Sequence, residues 1–180
     1  MQALILPYHN STPLLHPTVV VMPGAVVVGD VVIGEHSSVW FNSVIRGDVH
    51  FIRIGARTNI QDLSMLHVTN GRYPLTIGND VTIGHRAIIH GCTVEDTVLI
   101  GMGAILLDGC RIGSGSIVAA GAVVREGEHV PSGVLVAGVP ARIVRELSQE
   151  ERDNIANIAA QYVEYATSYR SLHTPQPASA

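Results

Sequence analysis

Residues 94–136 read VEDTVLIGMGAILLDGCRIGSGSIVAAGAVVREGEHVPSGVLV. An aliphatic residue stands at every sixth position: Val94, Ile100, Leu106, Ile112, Val118, Val124, Val130 and Val136. Glycine follows several of them directly, as in Ile100-Gly101 and Ile112-Gly113. A period of six fits neither an amphipathic helix nor a long alternating strand. It fits a solenoid of hexapeptides, in which each repeat forms one face of a triangular coil and three repeats make one coil of eighteen residues. The period residue points into the prism and stacks on its equivalents above and below. Small residues beside it let the backbone turn each corner.

The same period extends upstream through Leu15, Val21, Val27, Ile33, Val39 and Ile45, then Ile54, Ile60 and Leu66, then Ile77, Ile83 and Ile89. It breaks in three places. The interval is nine between Ile45 and Ile54, eleven between Leu66 and Ile77, and five between Ile89 and Val94. Extra residues in a solenoid become loops on one side, often the binding side. All three breaks fall in the stretch that also carries the unusual polar residues. The fold class expected is an all-β solenoid, a parallel β-helix, over residues 1–146.

Composition agrees with this. Hydrophobic residues make up 47% of the 180, aromatics only 4%, and there are 18 glycines. The core must therefore be built from Val, Ile, Leu and Ala. The chain has no lysine, and its 11 basic residues are arginines spread along the sequence. A nucleic-acid surface would want a basic cluster, so no nucleic-acid partner is expected. No apolar run reaches the length of a membrane span and no signal segment opens the chain, so a cytoplasmic protein is expected. Cys92 and Cys110 are then free thiols by default. Being eighteen apart, about one coil, they have the spacing of a redox-sensitive disulfide as well as that of two small buried hydrophobes.

After the solenoid, Ala137 to Arg142 reads as a turn leading to a helix over 147–171. Ser148 is a helix cap and Glu151, three residues on, completes a capping box. Ile155, Ile158, Ala159, Tyr162, Ala166 and Tyr169 form an apolar stripe at helical spacing, which places the helix along the β-helix. The Pro- and Ala-rich end, 172–180, reads as a disordered tail.

Counting coils places the histidines. His67 follows Leu66 and His90 follows Ile89, and those two period residues lie on one face one coil apart. The two imidazoles are therefore stacked about 4.8 Å apart, the spacing of neighbouring strands, close enough to share a metal. The same count puts Arg46 one coil further along that face and sets Asp62 beside His85 on the preceding face. His85 is around a corner from its own His90. It would reach the metal of a neighbouring prism if three prisms associate about a threefold axis, which gives a homotrimer with sites at its interfaces. Three imidazoles and an open position form a catalytic zinc-type shell. The other histidines (His9, His16, His36, His129 and His173) read as surface residues, with His50 left open.

At these residues the sequence resembles the γ-class carbonic anhydrase family. The matching elements are Arg46-Gly47-Asp48, Asn59-Ile60-Gln61-Asp62, His67, Ile83-Gly84-His85 and Ile89-His90-Gly91-Cys92. The match is collinear over nearly the whole chain. The resemblance implies a left-handed coil, against the usual right-handed crossover. It implies His67 and His90 as metal ligands from one subunit and His85 from the next. Arg46, Asp48 and Asp62 become a salt-bridged network at the trimer interface. Gln61 becomes the hydrogen-bond partner of the metal-bound water, and Tyr162 a residue over the site. The reaction implied is hydration of CO₂ to bicarbonate by a metal-bound hydroxide, with one divalent metal per site, Zn first and Fe or Co also suited to imidazole. The chain departs from the founding members at the proton-transfer positions. Val49 stands where they carry a glutamate, and the loop 68–74 (VTNGRYP) has no carboxylate. The resemblance thus implies the metal site without implying rapid hydration.

Two other classes remain open at this stage. Hexapeptide acyltransferases and thioesterases acting on acyl-coenzyme A share the solenoid and the Val139-Pro140-Ala141-Arg142 ending, but need one histidine base and no metal trio. A non-catalytic, bicarbonate-binding scaffold would keep the trio and lose turnover.

Overall fold

Each repeat contributes a strand of two or three residues, and successive strands lie on successive faces of a triangular prism. The computed structural model describes residues 2–172. The first face stacks Met65–His67, Ile88–His90, Ile105–Leu106 and Val123–Val124 in parallel. The second stacks Leu75–Ile77, Thr93–Val94, Arg111–Ile112 and His129–Val130. The third runs from Val20–Val21 through Ser38–Val39, Asn59–Ile60, Thr82–Ile83, Leu99–Ile100 and Ile117–Val118 to Val134–Ala137. The parallel β-solenoid has about seven turns.

The period residues fill the prism. Leu66, Ile83, Ile89, Ile100, Leu106, Ile112, Val118 and Val124 are fully buried. Branched aliphatic side chains suit this interior because each stacks on a side chain of similar shape one coil away. Buried hydroxyls bridge the coils at the corners. Ser43 Oγ donates to Gln61 O (2.7 Å), Ser64 Oγ to Gly84 O (3.0 Å) and Thr58 Oγ1 to Gly78 O (2.8 Å). Among the described residues no buried side-chain polar atom lacks a partner, as a dry interior requires.

The three breaks in the period all fall at the corner between the first and second faces. Here two long strands, Val26–Ile33 and Val44–Ile54, turn the corner without interruption and belong to both faces. The register between them shifts after Gly29, where the three extra residues of the second strand are absorbed. The loop 68–74 leaves the next coil at this same corner, closed by a bridge between Thr69 and Tyr73.

Two strands lie outside the hexapeptide pattern. Leu4–Leu6 pairs in parallel with Val26–Val28, ahead of the first period residue. The expected turn at 137–142 runs instead into a strand, Arg142–Glu146, that folds back antiparallel on Val134–Ala137 and ends the stack. The helix Gln149–Leu172 follows. Its capping box is formed: Glu151 N donates to Ser148 Oγ (3.2 Å) and Ser148 N to Glu151 Oε2 (2.9 Å). The helix lies on the third face, with Ile155, Ala159 and Ala166 buried. Tyr162 and Tyr169 stand edge-on to Trp40 at centroid distances of 5.3 and 5.4 Å. Of the tail expected over 172–180, residue 172 still belongs to the helix, and residues 173–180 lie outside the described residues.

Candidate metal centre

Stacking of Ile89 on Leu66 puts His90 in register with His67. Both side chains leave the first face at its corner with the second, beneath the loop 68–74. His67 Nδ1 and His90 Nε2 lie 3.0 Å apart. The other nitrogen of each ring meets a carboxylate: His67 Nε2 is 3.0 Å from Asp48 Oδ1, and His90 Nδ1 is 2.6 Å from Asp108 Oδ1. Arg46 pairs in turn with Asp48, and Thr69 Oγ1 donates to Asp108 Oδ2 (2.6 Å). The result is a continuous chain, Arg46–Asp48–His67–His90–Asp108–Thr69, drawn from four successive coils.

The electrostatics of this chain are set at its ends. Burial pushes the Asp48 carboxyl up, but hydrogen bonds from Arg46 and His67 outweigh it and hold the group below its ordinary value. Burial likewise raises Asp108, and the bonds from Thr69 and His90 reverse the effect. Both carboxylates are thus ionised and accept only. Each therefore takes an N–H from its histidine, which assigns the proton of His67 to Nε2 and that of His90 to Nδ1. The nitrogens left over, His67 Nδ1 and His90 Nε2, are two lone pairs facing each other across 3.0 Å. Burial, opposed in part by the Asp48 bond, lowers the His67 pKa, with the Arg46 charge adding to the effect. Two imidazole nitrogens so placed could hold one cation between them. Neutral imidazoles backed by carboxylates are the usual metal-ligating arrangement.

His85 does not join this pair within one chain. Ile83 pairs with Ile60, so His85 stands beside Asp62 at the opposite edge of the first face, with Nδ1 2.8 Å from Asp62 Oδ2. Its side chain is 42% exposed. Gln61, one residue before Asp62, is buried and donates through Nε2 to Asn59 Oδ1 (3.1 Å). Tyr162 of the helix is half-buried on the same side. Burial, with the Asp62 charge, raises its pKa. The expected network of Arg46, Asp48 and Asp62 is therefore divided within one chain. Arg46 and Asp48 belong to the His67–His90 corner, and Asp62 belongs to His85. Among the described residues of a single chain, no group of three His, Cys, Asp or Glu residues converges on one point.

Asp108 is the site residue that the sequence reading passed over. The short interval after Ile89 makes this coil seventeen residues, so the count that paired His67 with His90 sets Leu107 over His90, and Asp108 stands one position further on. Cys92 and Cys110 stack as that spacing implies. Both are buried free thiols within hydrogen-bonding contact of each other, and that contact together with burial pushes the Cys92 thiol well up.

Fold and corner together define a hexapeptide-repeat solenoid bearing a paired-histidine site. A sequence profile described as "Bacterial transferase hexapeptide (six repeats)" matches residues 12–47 and 91–126. The chain is 54% identical over 158 residues to "Probable carbonic anhydrase" of Methanocaldococcus jannaschii, covering 88% of this chain and 99% of that protein. It is 44% identical over 167 residues to "Gamma carbonic anhydrase 2, mitochondrial" of Arabidopsis thaliana, covering 90% of this chain and 60% of that longer one. A Bacillus cereus crystal structure, provisionally named an acetyltransferase, superposes with a TM-score of 0.94 at 43% identity, covering 96% of this chain and all of that one. The chain belongs to the γ-class carbonic anhydrase family of hexapeptide-repeat proteins.

Proposed function

We propose that this protein is a metal-dependent, carbonic anhydrase-like enzyme that interconverts CO₂ and bicarbonate at sites shared between the subunits of a homotrimer. The observation that carries this reading is the facing of His67 Nδ1 and His90 Nε2 at 3.0 Å, with each ring's second nitrogen on a carboxylate. His85 supplies the third imidazole from a neighbouring subunit. Its exposure, and its place on the far edge of the same face, support a role toward a partner rather than its own chain. One divalent cation, zinc first, would be held by these three neutral imidazoles and would bring a coordinated water's pKa to about 7, a value taken from carbonic anhydrase itself.

The protein's own groups do the rest. Asp48 and Asp108 hold the ligand rings in single tautomers. Asp62 orients His85 through Nδ1 and leaves its Nε2 free. Gln61, buried and anchored on Asn59 through Nε2, would offer its amide as a hydrogen-bond partner to the oxygen of the substrate. Tyr162 closes the His85 side from the helix. Neither Val49 nor the loop 68–74 supplies a carboxylate for proton transfer, so proton export would fall to buffer. The absence of a candidate membrane-crossing helix among the described residues is compatible with a cytoplasmic enzyme.

The test combines metal analysis, light scattering and ¹⁸O exchange between CO₂ and water. The expected result is a trimer with one zinc per subunit, lost in His67→Ala and in His85→Ala, and exchange that falls with the metal. A metal-free protein that consumes acyl-coenzyme A would overturn the reading in favour of acyl transfer, the class suggested by the name of the Bacillus cereus structure. A metal-replete trimer without exchange would leave a bicarbonate-binding scaffold.

A further inference from the structure

Asp108 lies in the turn that follows the strand Ile105–Leu106. Both of its carboxylate oxygens are committed, Oδ1 to His90 Nδ1 and Oδ2 to Thr69 Oγ1, each at 2.6 Å. Its side chain is 19% exposed, so little water competes for either bond. Thr69 opens the loop 68–74, and two more residues of that loop attend the same corner. The Arg72 charge acts on Asp108, and Tyr73 lies so close over Gly91 and Gly109 that a methyl group at either would sit within 3 Å of it. The loop is thus fastened to the coil at the point where Asp108 meets His90.

We propose that Asp108, seated by Thr69, is the positioning residue for His90: it keeps the proton on Nδ1, aims Nε2 at His67 and ties the ring's orientation to the loop 68–74. The proposal rests on the reading of His67 and His90 as a metal-binding pair. A neutral imidazole has two tautomers, and only one offers Nε2 to a cation. A carboxylate fixed from its far side selects that tautomer and also stops the ring from turning. Without the Thr69 bond, Asp108 keeps its partner but gains a free rotation, so the selection weakens rather than vanishes. Loss of such an outer partner costs about tenfold to a hundredfold in metal affinity.

The experiment uses the full-length protein and two readouts. Zinc affinity is measured by chelator competition. Ring tautomers in the metal-free protein are read from long-range ¹H–¹⁵N correlations. Asp108→Ala is expected to lower zinc affinity about tenfold to a hundredfold and to turn the single His90 tautomer into a mixture, leaving His67 unchanged. Thr69→Val is expected to lower affinity by less, and Thr69→Ser to restore it. A single Nδ1–H tautomer at His90 in Asp108→Ala would overturn the proposal, as would undiminished affinity. Should Asp108→Ala fail to fold, Thr69→Val decides: wild-type affinity in that variant also overturns it. If the wild-type protein binds no zinc, the metal reading fails on its own, and the His90 tautomer in Asp108→Ala still judges the positioning.

Discussion

Replacing Gly91 by alanine isolates the energy stored in the histidine corner. Gly91 has φ +49°, and a Cβ built there would lie 2.2 Å from Asp108 Oδ1 and 2.8 Å from the Tyr73 Cβ. A suitable control is Gly103, with φ +68° and open space around a would-be Cβ. It follows Arg86 (φ 61°) and Leu63 (φ 63°) in the same column of turns, so that column accepts side chains. Gly103→Ala should therefore cost only the left-handed conformation, about 1 kcal/mol. Gly91→Ala incurs that cost and also drives Asp108 off its place, breaking at least one charge-assisted hydrogen bond worth about 2 kcal/mol. The difference, about 2 kcal/mol, corresponds to roughly 4–8 °C in a chain of this length. The assay is thermal unfolding by circular dichroism on metal-free proteins at equal protomer concentration, because association shifts apparent stability. Equal melting temperatures for the two variants would refute the reasoning, since they would mean that Asp108 yields without loss.

Two further outcomes are expected. The His67 pKa is depressed below its ordinary 6.5, so on acidification the unfolded chain takes up a proton that the folded one resists. Stability of the metal-free protein, followed by urea unfolding, should be fully present above pH 6.5 and decline below it. A second decline should come under the ordinary carboxylate value of 3.8, as Asp48 and Asp108 protonate through their lowered folded values. A stability curve flat from pH 7 to 5 would count against a half-buried His67 whose charging is disfavoured in the fold. Cys92 and Cys110, buried and with the Cys92 thiolate disfavoured, should resist iodoacetamide in the native protein and react fully in denaturant. Rapid native alkylation would disprove that burial.

Much of this was legible by counting in sixes, because a solenoid repeats one physical solution and its contacts are local in coil number. Ile83 over Ile60, His90 over His67 and Asp62 beside His85 all follow from that arithmetic. The strands Leu4–Leu6 and Arg142–Glu146 were not legible. Each is a terminal strand whose residues are all exposed, so neither carries the inward-pointing period that marks the rest. Asp108 escaped for another reason: in LLDGC it reads as an ordinary turn residue, and only the ring nitrogen one coil away gives it a task. The split of the network followed from the count as well, since Asp62 falls beside His85 on the preceding face and Arg46 on the face of His67.

The gathering of every irregular interval at one corner has a practical meaning for protein engineering. That edge behaves as a seam where chain length is negotiable, while the other two edges keep the repeat in step. Gly71, at the tip of the loop 68–74, has nothing within 4 Å of a would-be Cβ. A graft inserted there would start from an uncrowded position and leave the aliphatic stack unaltered, so chain can be added at this seam without redesigning the prism that carries it.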